Sequence, residues 1–148
     1  MPGLLILAHA PLASSLKTVA RHVFPNEIGV EAIDVEADDS PDRVEALTRV
    51  LLARVRDPEA LILTDVFGAT PCNVAMRVAE GPQVRVVTGV NVPMLWRALG
   101  YRHEPLMKLV DRAIAGGIQG VVQLTPTRPQ LQGARPNDND QDRTQDQQ

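Results

Sequence analysis

The chain has 148 residues, a length typical of a single domain of about 100–200 residues. Hydrophobic residues make up 44% and aromatic residues only 3%, so a core must be built from aliphatic side chains. The net charge of −3, without basic stretches interleaved with aromatic residues, argues against nucleic-acid binding, and the single cysteine, Cys72, excludes an internal disulfide or a multi-cysteine metal site.

The first half of the chain alternates predicted strands and helices. Residues 4–8 form a continuous apolar run, which is typical of a strand buried on both faces. An amphipathic helix is predicted after it, and residues 30–35 predict a second strand. Ser40 and Pro41 are typical of the N-cap and the first position of the next helix. The start of the chain has neither a basic n-region nor a long apolar run, so we expect a cytoplasmic protein without a membrane span.

The second half continues the same alternation. Residues 60–64 predict a third buried strand, and Thr70 and Pro71 predict the cap and first position of a helix after it. Residues 84–88 predict a fourth strand, and a helix opens at Pro93. The periodicity of residues 104–115 predicts a last helix, which Gly116 and Gly117 are expected to end, before a short strand at 121–124.

This order of elements indicates an α/β fold, a doubly wound and mostly parallel sheet with helices on both faces. We predict that the folded domain spans residues 1–124. Residues 125–148 are rich in Pro, Asn, Asp and Gln, which predicts a disordered polar tail. In such sheets, ligands bind at the carboxyl ends of the strands. This rule points to the segments that follow the first, third and fourth strands.

Two of those segments begin with side chains that carry chemistry. His9 follows the first strand, and an imidazole can act as nucleophile, base or metal ligand. Asp65 follows the third strand, and a carboxylate bound to one ring nitrogen would fix the tautomer and free the other nitrogen to attack. The alternative interpretations are a strand-end histidine bonded to the backbone and a loop-capping aspartate.

The loop after the third strand is predicted to cradle a phosphoryl group. Gly68 and Ala69 allow close approach of the backbone, the next helix offers free N–H groups, and the Thr70 hydroxyl can donate to a phosphoryl oxygen. Thr70 could equally serve as a helix cap. Asn91, after the fourth strand, could hold its loop near His9, although its spacing favours a turn residue before a helix.

Other candidate residues fit less well. Cys72 could serve a Cys-His-Asp hydrolase, but a packed cysteine is the simpler interpretation. His22 is expected to be a surface cation at a helix end, and no role is assigned to His103. The pair Asp38-Asp39 is expected to be a solvated turn, and we predict no metal site. A response-regulator receiver needs an acidic pair after the first strand, where this chain has His9 between two alanines.

The motifs around these residues resemble one known family. The segments 5–9, 65–73 and 89–95 together resemble the mannose-family IIA component of the bacterial phosphoenolpyruvate sugar phosphotransferase system. The resemblance covers roughly residues 3–124. Phe67 stands where the family often has tryptophan.

The resemblance implies a phosphocarrier. His9 would accept a phosphoryl group from the protein HPr and pass it to a IIB partner, with Asp65 orienting the imidazole and Thr70 beside the phosphoryl group. Neither a metal nor a cofactor is needed, because donor and acceptor are both histidines. The resemblance also implies a homodimer in which the antiparallel strand 121–124 is exchanged. The alternatives are a regulatory module whose partner binding is switched by phosphorylation of His9, and a small hydrolase.

Overall fold

The computed structural model describes residues 1–126, which form four strands and five helices. In chain order these are β1 (Gly3–His9), α1 (Leu12–Ala20), β2 (Val30–Val35), α2 (Pro41–Val55), β3 (Ala60–Thr64), α3 (Thr70–Val78), β4 (Val84–Val87), α4 (Val92–Gly100) and α5 (Leu106–Gln119). No helix in this part of the chain is both long enough and apolar enough to cross a membrane. From residue 127 onward, the predicted tail lies outside the described residues.

The four strands form one parallel sheet in the order β2-β1-β3-β4, which confirms the predicted fold class. Successive side chains of β1 point to opposite faces, so Leu4 and Ile6 pack into one core layer while Leu5 and Leu7 pack into the other. The first layer lies under α1, α4 and α5, and the second lies under α2 and α3. Two-sided burial explains why the strand sequences are almost continuously apolar.

Local signals placed the start of α2 correctly. Ser40 is the N-cap of α2, where its hydroxyl accepts a hydrogen bond from the backbone N–H of Arg43 at 3.2 Å, and Pro41 begins the helix. By contrast, the prediction for the end of α5 was wrong, because the helix continues through Gly116 and Gly117 to Gln119.

Close packing of α5 against α4 explains these glycines. A Cβ added at Gly116 would lie 2.5 Å from Cβ of Arg97, and one added at Gly117 would lie 2.8 Å from Cε of Met94. The glycines therefore make room for the neighbouring helix, and tertiary contacts outweigh their low helix propensity.

Replacing Gly116 with alanine is expected to lower the free energy of unfolding by about 1–3 kcal/mol, because overpacking outweighs the gain in helix propensity. Gly100, the last residue of α4, is the matched control, since an added Cβ there would meet only Phe24 at 3.9 Å. Gly100→Ala should leave stability equal or slightly higher. Urea unfolding of both variants checks this, and equal effects would contradict the packing argument.

Residues 121–124 follow α5 and pair with no strand of the described chain. Val121, Val122 and Leu124 are all exposed there. An exchanged strand requires a second copy of the protein, so the exchange stays a prediction.

A buried arginine ties the amino-terminal edge of the sheet together. Arg102, 3% exposed, lies between α4 and α5. It donates to the carbonyl oxygens of Pro2 and Ile28, at 3.0 and 2.6 Å, and to the carboxylate of Glu27 at 2.6 Å. The guanidinium thus joins three segments that are distant in sequence, and periodicity alone could not have identified it.

Replacing Arg102 with leucine is expected to lower the free energy of unfolding by roughly 2–4 kcal/mol, because it leaves the buried carbonyl of Pro2 and the partly buried carboxylate of Glu27 unpaired. The control is Arg112→Leu, since Arg112 is exposed and pairs with Glu104 at the surface, where solvent screens the attraction. Urea unfolding should show a much smaller loss for the control. Similar losses would contradict the structural role of Arg102.

Candidate functional site

The loops that follow β1, β3 and β4 lie at one edge of the sheet. β1 and β3 are neighbours, with Leu7 paired with Thr64, and β4 lies next to β3. The chain therefore leaves β1 at His9 and β3 at Asp65 side by side. The helices that follow these strands begin at this edge, so their N-terminal ends point toward it.

His9 and Asp65 are in direct contact at this edge. One carboxylate oxygen of Asp65, Oδ2, lies 2.7 Å from Nδ1 of the His9 ring and also accepts the backbone N–H of His9 at 3.0 Å. The other oxygen accepts the backbone N–H of Val66 at 3.0 Å. The Asp65 side chain is 13% exposed and the His9 side chain 48% exposed. The carboxylate is thus shielded and held, while much of the imidazole surface is open.

The protonation state of Asp65 follows from these contacts. Burial raises the pKa of the Asp65 carboxyl, but the hydrogen bonds from the His9 side chain and backbone and the attraction to His9 together outweigh it, so the pKa lies below its ordinary value. Asp65 is therefore a carboxylate at neutral pH and can only accept hydrogen bonds. The ring nitrogen that it contacts, Nδ1, must carry the proton, and Nε2 keeps its lone pair in the neutral imidazole.

Asp65 is expected to make the stability of the fold depend on acid pH. Because its pKa is lower in the folded than in the unfolded chain, its contribution is complete above about pH 5 and is lost as the pH falls through the folded-state pKa. Urea unfolding of the wild type and Asp65→Asn between about pH 5 and pH 2 checks this. The difference between the two proteins should shrink as the pH falls, and a constant difference would refute the linkage.

The loop after Asp65 is exposed and carries an aromatic side chain. Phe67 is 83% exposed, and Val66 beside it is also exposed. Gly68 has a φ of +86°, a left-handed conformation that favours glycine, and it turns the chain into α3. A large apolar side chain is thus exposed to solvent two residues after Asp65, the residue that contacts His9.

The prediction that Thr70 caps α3 was wrong. Ala69 occupies the N-cap position, where no side chain makes a capping hydrogen bond, and Thr70 is already the first helical residue. Pro71 follows in the first turn, where its missing N–H costs nothing. The Thr70 hydroxyl is therefore not used to cap the helix, and it lies at an open helix N-terminus on the same edge as His9.

Asn91 lies at this edge but makes its hydrogen bonds away from His9. Its side-chain oxygen accepts the backbone N–H of Met94 at 2.9 Å, which caps α4, and its amide donates to the carbonyl of Gly117 in α5 at 3.1 Å. These bonds hold the β4–α4 loop against α5. A contact of Asn91 with a phosphoryl group stays a prediction.

Asp34 is the residue at this edge that the sequence analysis missed. It lies near the end of β2 opposite Ala8 of β1, and its carboxylate accepts two hydrogen bonds from Ser14 in the first turn of α1. The available signal was a carboxylate next to the last residue of a predicted strand. Without the strand order, however, nothing in the sequence placed β2 beside β1.

The remaining candidates lie apart from the pair. Cys72 is buried in the first turn of α3, so its thiol is shielded from solvent. His22 follows the end of α1 and His103 follows the end of α4. Helices in this fold run back across the sheet, so both histidines belong to the opposite edge. A cavity of about 250 Å³, lined by Lys17, Phe24 and neighbouring residues, also lies beside the start of β2, away from His9.

Comparison with known proteins identifies the family of the chain. The sequence profile of the EIIA-man family, described as "PTS system fructose IIA component", matches residues 3–114. The chain belongs to this family. It is therefore a component of the phosphoenolpyruvate sugar phosphotransferase system, with the general phosphotransfer role that membership implies.

Individual relatives agree with the family assignment. The fructose-specific EIIA component of Bacillus subtilis (strain 168) is 26% identical over 110 residues, which are 73% of this chain and 75% of the relative. Among solved structures, the mannose/sorbose-specific IIA subunit from Enterococcus faecalis superimposes with a TM-score of 0.79 at 25% identity, covering 86% of this chain and 97% of that one. The EIIA component from Streptococcus agalactiae gives 0.76 at 26% identity, covering 83% and 97%.

Proposed function

We propose that this EIIA-man protein carries a phosphoryl group on Nε2 of His9, which it takes from phosphorylated HPr and passes to a IIB partner. The observation that carries the proposal is the contact between His9 Nδ1 and the shielded Asp65 carboxylate at 2.7 Å, with the imidazole otherwise open. This arrangement leaves one nucleophilic nitrogen facing a partner.

The proposed step exchanges one phosphorus–nitrogen bond for another. The lone pair of His9 Nε2 forms the new P–N bond while the P–N bond of the donor phosphohistidine breaks and its electrons return to the donor imidazole. The Nδ1 proton stays hydrogen-bonded to Asp65. Positive charge that develops on the His9 ring is offset by that carboxylate, which is preorganised by its bonds to the backbone of His9 and Val66.

The N-terminus of α3 is the proposed cradle for the phosphoryl oxygens. Four helices begin at this edge. The N-terminus of α1 is bound by Asp34, α2 is capped by Ser40 and α4 is capped by Asn91, whereas α3 has no side-chain cap. Its N–H groups and the Thr70 hydroxyl are therefore the available donors. Gly68 and Ala69 lead into this helix end without bulky side chains, which allows close approach of a phosphoryl group.

The proposed partners follow from the same site. The exposed side chains of Val66 and Phe67, in the loop that begins at Asp65, are the proposed apolar surface for HPr and IIB. We also propose a cytoplasmic location, and a homodimer in which residues 121–124 pair with a second copy. The exposure of Val121, Val122 and Leu124 supports that pairing, because a lone chain leaves these apolar side chains in water.

The proposal is tested by incubating the full chain with Enzyme I, HPr and labelled phosphoenolpyruvate. We expect a label that is lost in acid and stable in base, as for phosphohistidine, and that depends on both Enzyme I and HPr. Adding a purified IIB protein should then remove the label from this chain. A folded protein that takes up no label would refute the proposed function. A label that stays on the chain with every IIB protein tried would favour the regulatory alternative.

A further inference from the structure

Asp34 joins β2 to the first turn of α1 through two hydrogen bonds. One oxygen of its carboxylate accepts the backbone N–H of Ser14 at 3.0 Å, and the other accepts the Ser14 hydroxyl at 2.5 Å. Asp34 shares the face of β2 that carries Val30 and Ala32, which pack into the layer under α1. The Asp34 carboxylate therefore reaches the N-terminus of α1 from β2, on the sheet face that this helix covers.

This helix end is the one nearest to His9 in the sequence. α1 begins three residues after His9, and its first N–H groups carry the partial positive charge of a helix N-terminus. A free N-terminus in this position would attract a phosphoryl group as strongly as α3 does. In this structure the Asp34 carboxylate already binds the third N–H of the helix, that of Ser14, and places a negative charge at this helix end.

We propose that Asp34 is a positioning residue that closes the N-terminus of α1 to phosphate, so that the phosphoryl group on His9 is directed to the open N-terminus of α3. This inference rests on the proposed function, because it assigns a direction to the same phosphoryl group. Among the residues that the structure describes, the Asp34 side chain makes no hydrogen bond to His9 or Asp65.

The backbone around His9 gives Asp34 a second means of acting on the site. His9 is paired with Val35, the residue after Asp34, and the N–H of Ala10 donates to the carbonyl of Val35 at 2.9 Å. The segment from His9 to the first turn of α1 is therefore held against β2 at both ends, at Val35 and at Asp34. Without the Asp34 hydrogen bonds, the first turn of α1 and the segment that links it to His9 would be held less firmly against β2.

The inference is tested by titrating inorganic phosphate into ¹⁵N-labelled full chain and following the backbone amides by NMR. In the wild type, we expect the amides of Thr70 and Cys72 to shift and those of Ala13 and Ser14 to stay unchanged. In Asp34→Ala, we expect phosphate affinity at Ala13 and Ser14 to rise about fivefold. In Asp34→Asn, the rise should be smaller, because the amide oxygen still accepts the Ser14 N–H while the negative charge is gone.

Asp39→Ala is the matched control. Like Asp34→Ala, this variant removes a negative charge and the acceptor of a backbone hydrogen bond, here from the N–H of Glu36 at 2.8 Å. Unlike Asp34, however, Asp39 has no hydrogen bond to α1. The amides of Ala13 and Ser14 should stay unchanged in this variant. The inference would be overturned if the amides of Ala13 and Ser14 did not shift in either Asp34 variant. It would also be overturned if they shifted in the wild type or in Asp39→Ala.

The same titration separates this inference from the proposed function. Amides that respond at Ala13 and Ser14 only when Asp34 is replaced support the closing role, whatever happens at α3. No response at Thr70 and Cys72, together with no label on His9, would instead refute the phosphoryl cradle and the phosphocarrier function. Phosphotransfer by Asp34→Ala should also slow several-fold, with partial rescue in Asp34→Asn, since the amide keeps one of the bonds.

Discussion

Replacing His9 with alanine is expected to abolish phosphoryl acceptance while leaving the fold intact. The imidazole is about half exposed and packs against no core layer, so its removal leaves no buried cavity. In the proposed step it supplies the nucleophilic Nε2, and the other two histidines of the chain, His22 and His103, lie at the opposite edge of the sheet. Transfer from labelled phosphoenolpyruvate through Enzyme I and HPr should fall to the background of the assay.

His22→Ala and His103→Ala are the controls for this experiment. Both histidines are exposed and lie at the opposite edge of the sheet, so each variant should take up label at the wild-type rate. Circular dichroism and urea unfolding would show that the His9 variant is folded. Label retained by folded His9→Ala would contradict the mechanism, because the phosphoryl group would then reside on another residue.

Replacing Asp65 with asparagine is expected to slow phosphoryl transfer by roughly 10²–10³-fold, because the charge that stabilises the developing imidazolium is lost. The amide can also donate to Nδ1 and so favour the tautomer with the proton on Nε2, which has no lone pair for attack. Single-turnover transfer from phosphorylated HPr measures the rate. The ¹⁵N chemical shifts of the His9 ring report the tautomer directly.

Asp39→Asn provides the comparison for Asp65→Asn, since it removes a carboxylate from a neighbouring loop without a contact to His9. Its transfer rate should stay within a factor of about two of the wild type, as for surface changes away from the site. A wild-type rate in Asp65→Asn would mean that the carboxylate only holds the loop. A wild-type ¹⁵N spectrum with a slow rate would assign the effect to charge and not to the tautomer.

Much of the fold could be predicted because its signals are local. The strands of this sheet are buried on both faces, so they appear as short apolar runs, and the bounds of β2 and β3 agree with those runs. Ser40 with Pro41 marked the start of α2 for an equally local reason, since a cap acts within one turn. Parallel strands then place their carboxyl ends at one edge, which made His9 and Asp65 candidates for contact.

The sequence by itself therefore determined the order of strands and helices along the chain, the parallel sheet and the edge of the sheet that carries His9. The tertiary structure decided which groups separated in sequence actually meet: His9 with Asp65 across 56 positions, Asp34 with Ser14, and Arg102 with the residues before β1 and β2. It also decided that Gly116 and Gly117 continue α5 and that α3 starts without a cap. The physical reason is that periodicity and capping act within a few residues, whereas these contacts depend on strand order and on how closely one helix approaches another.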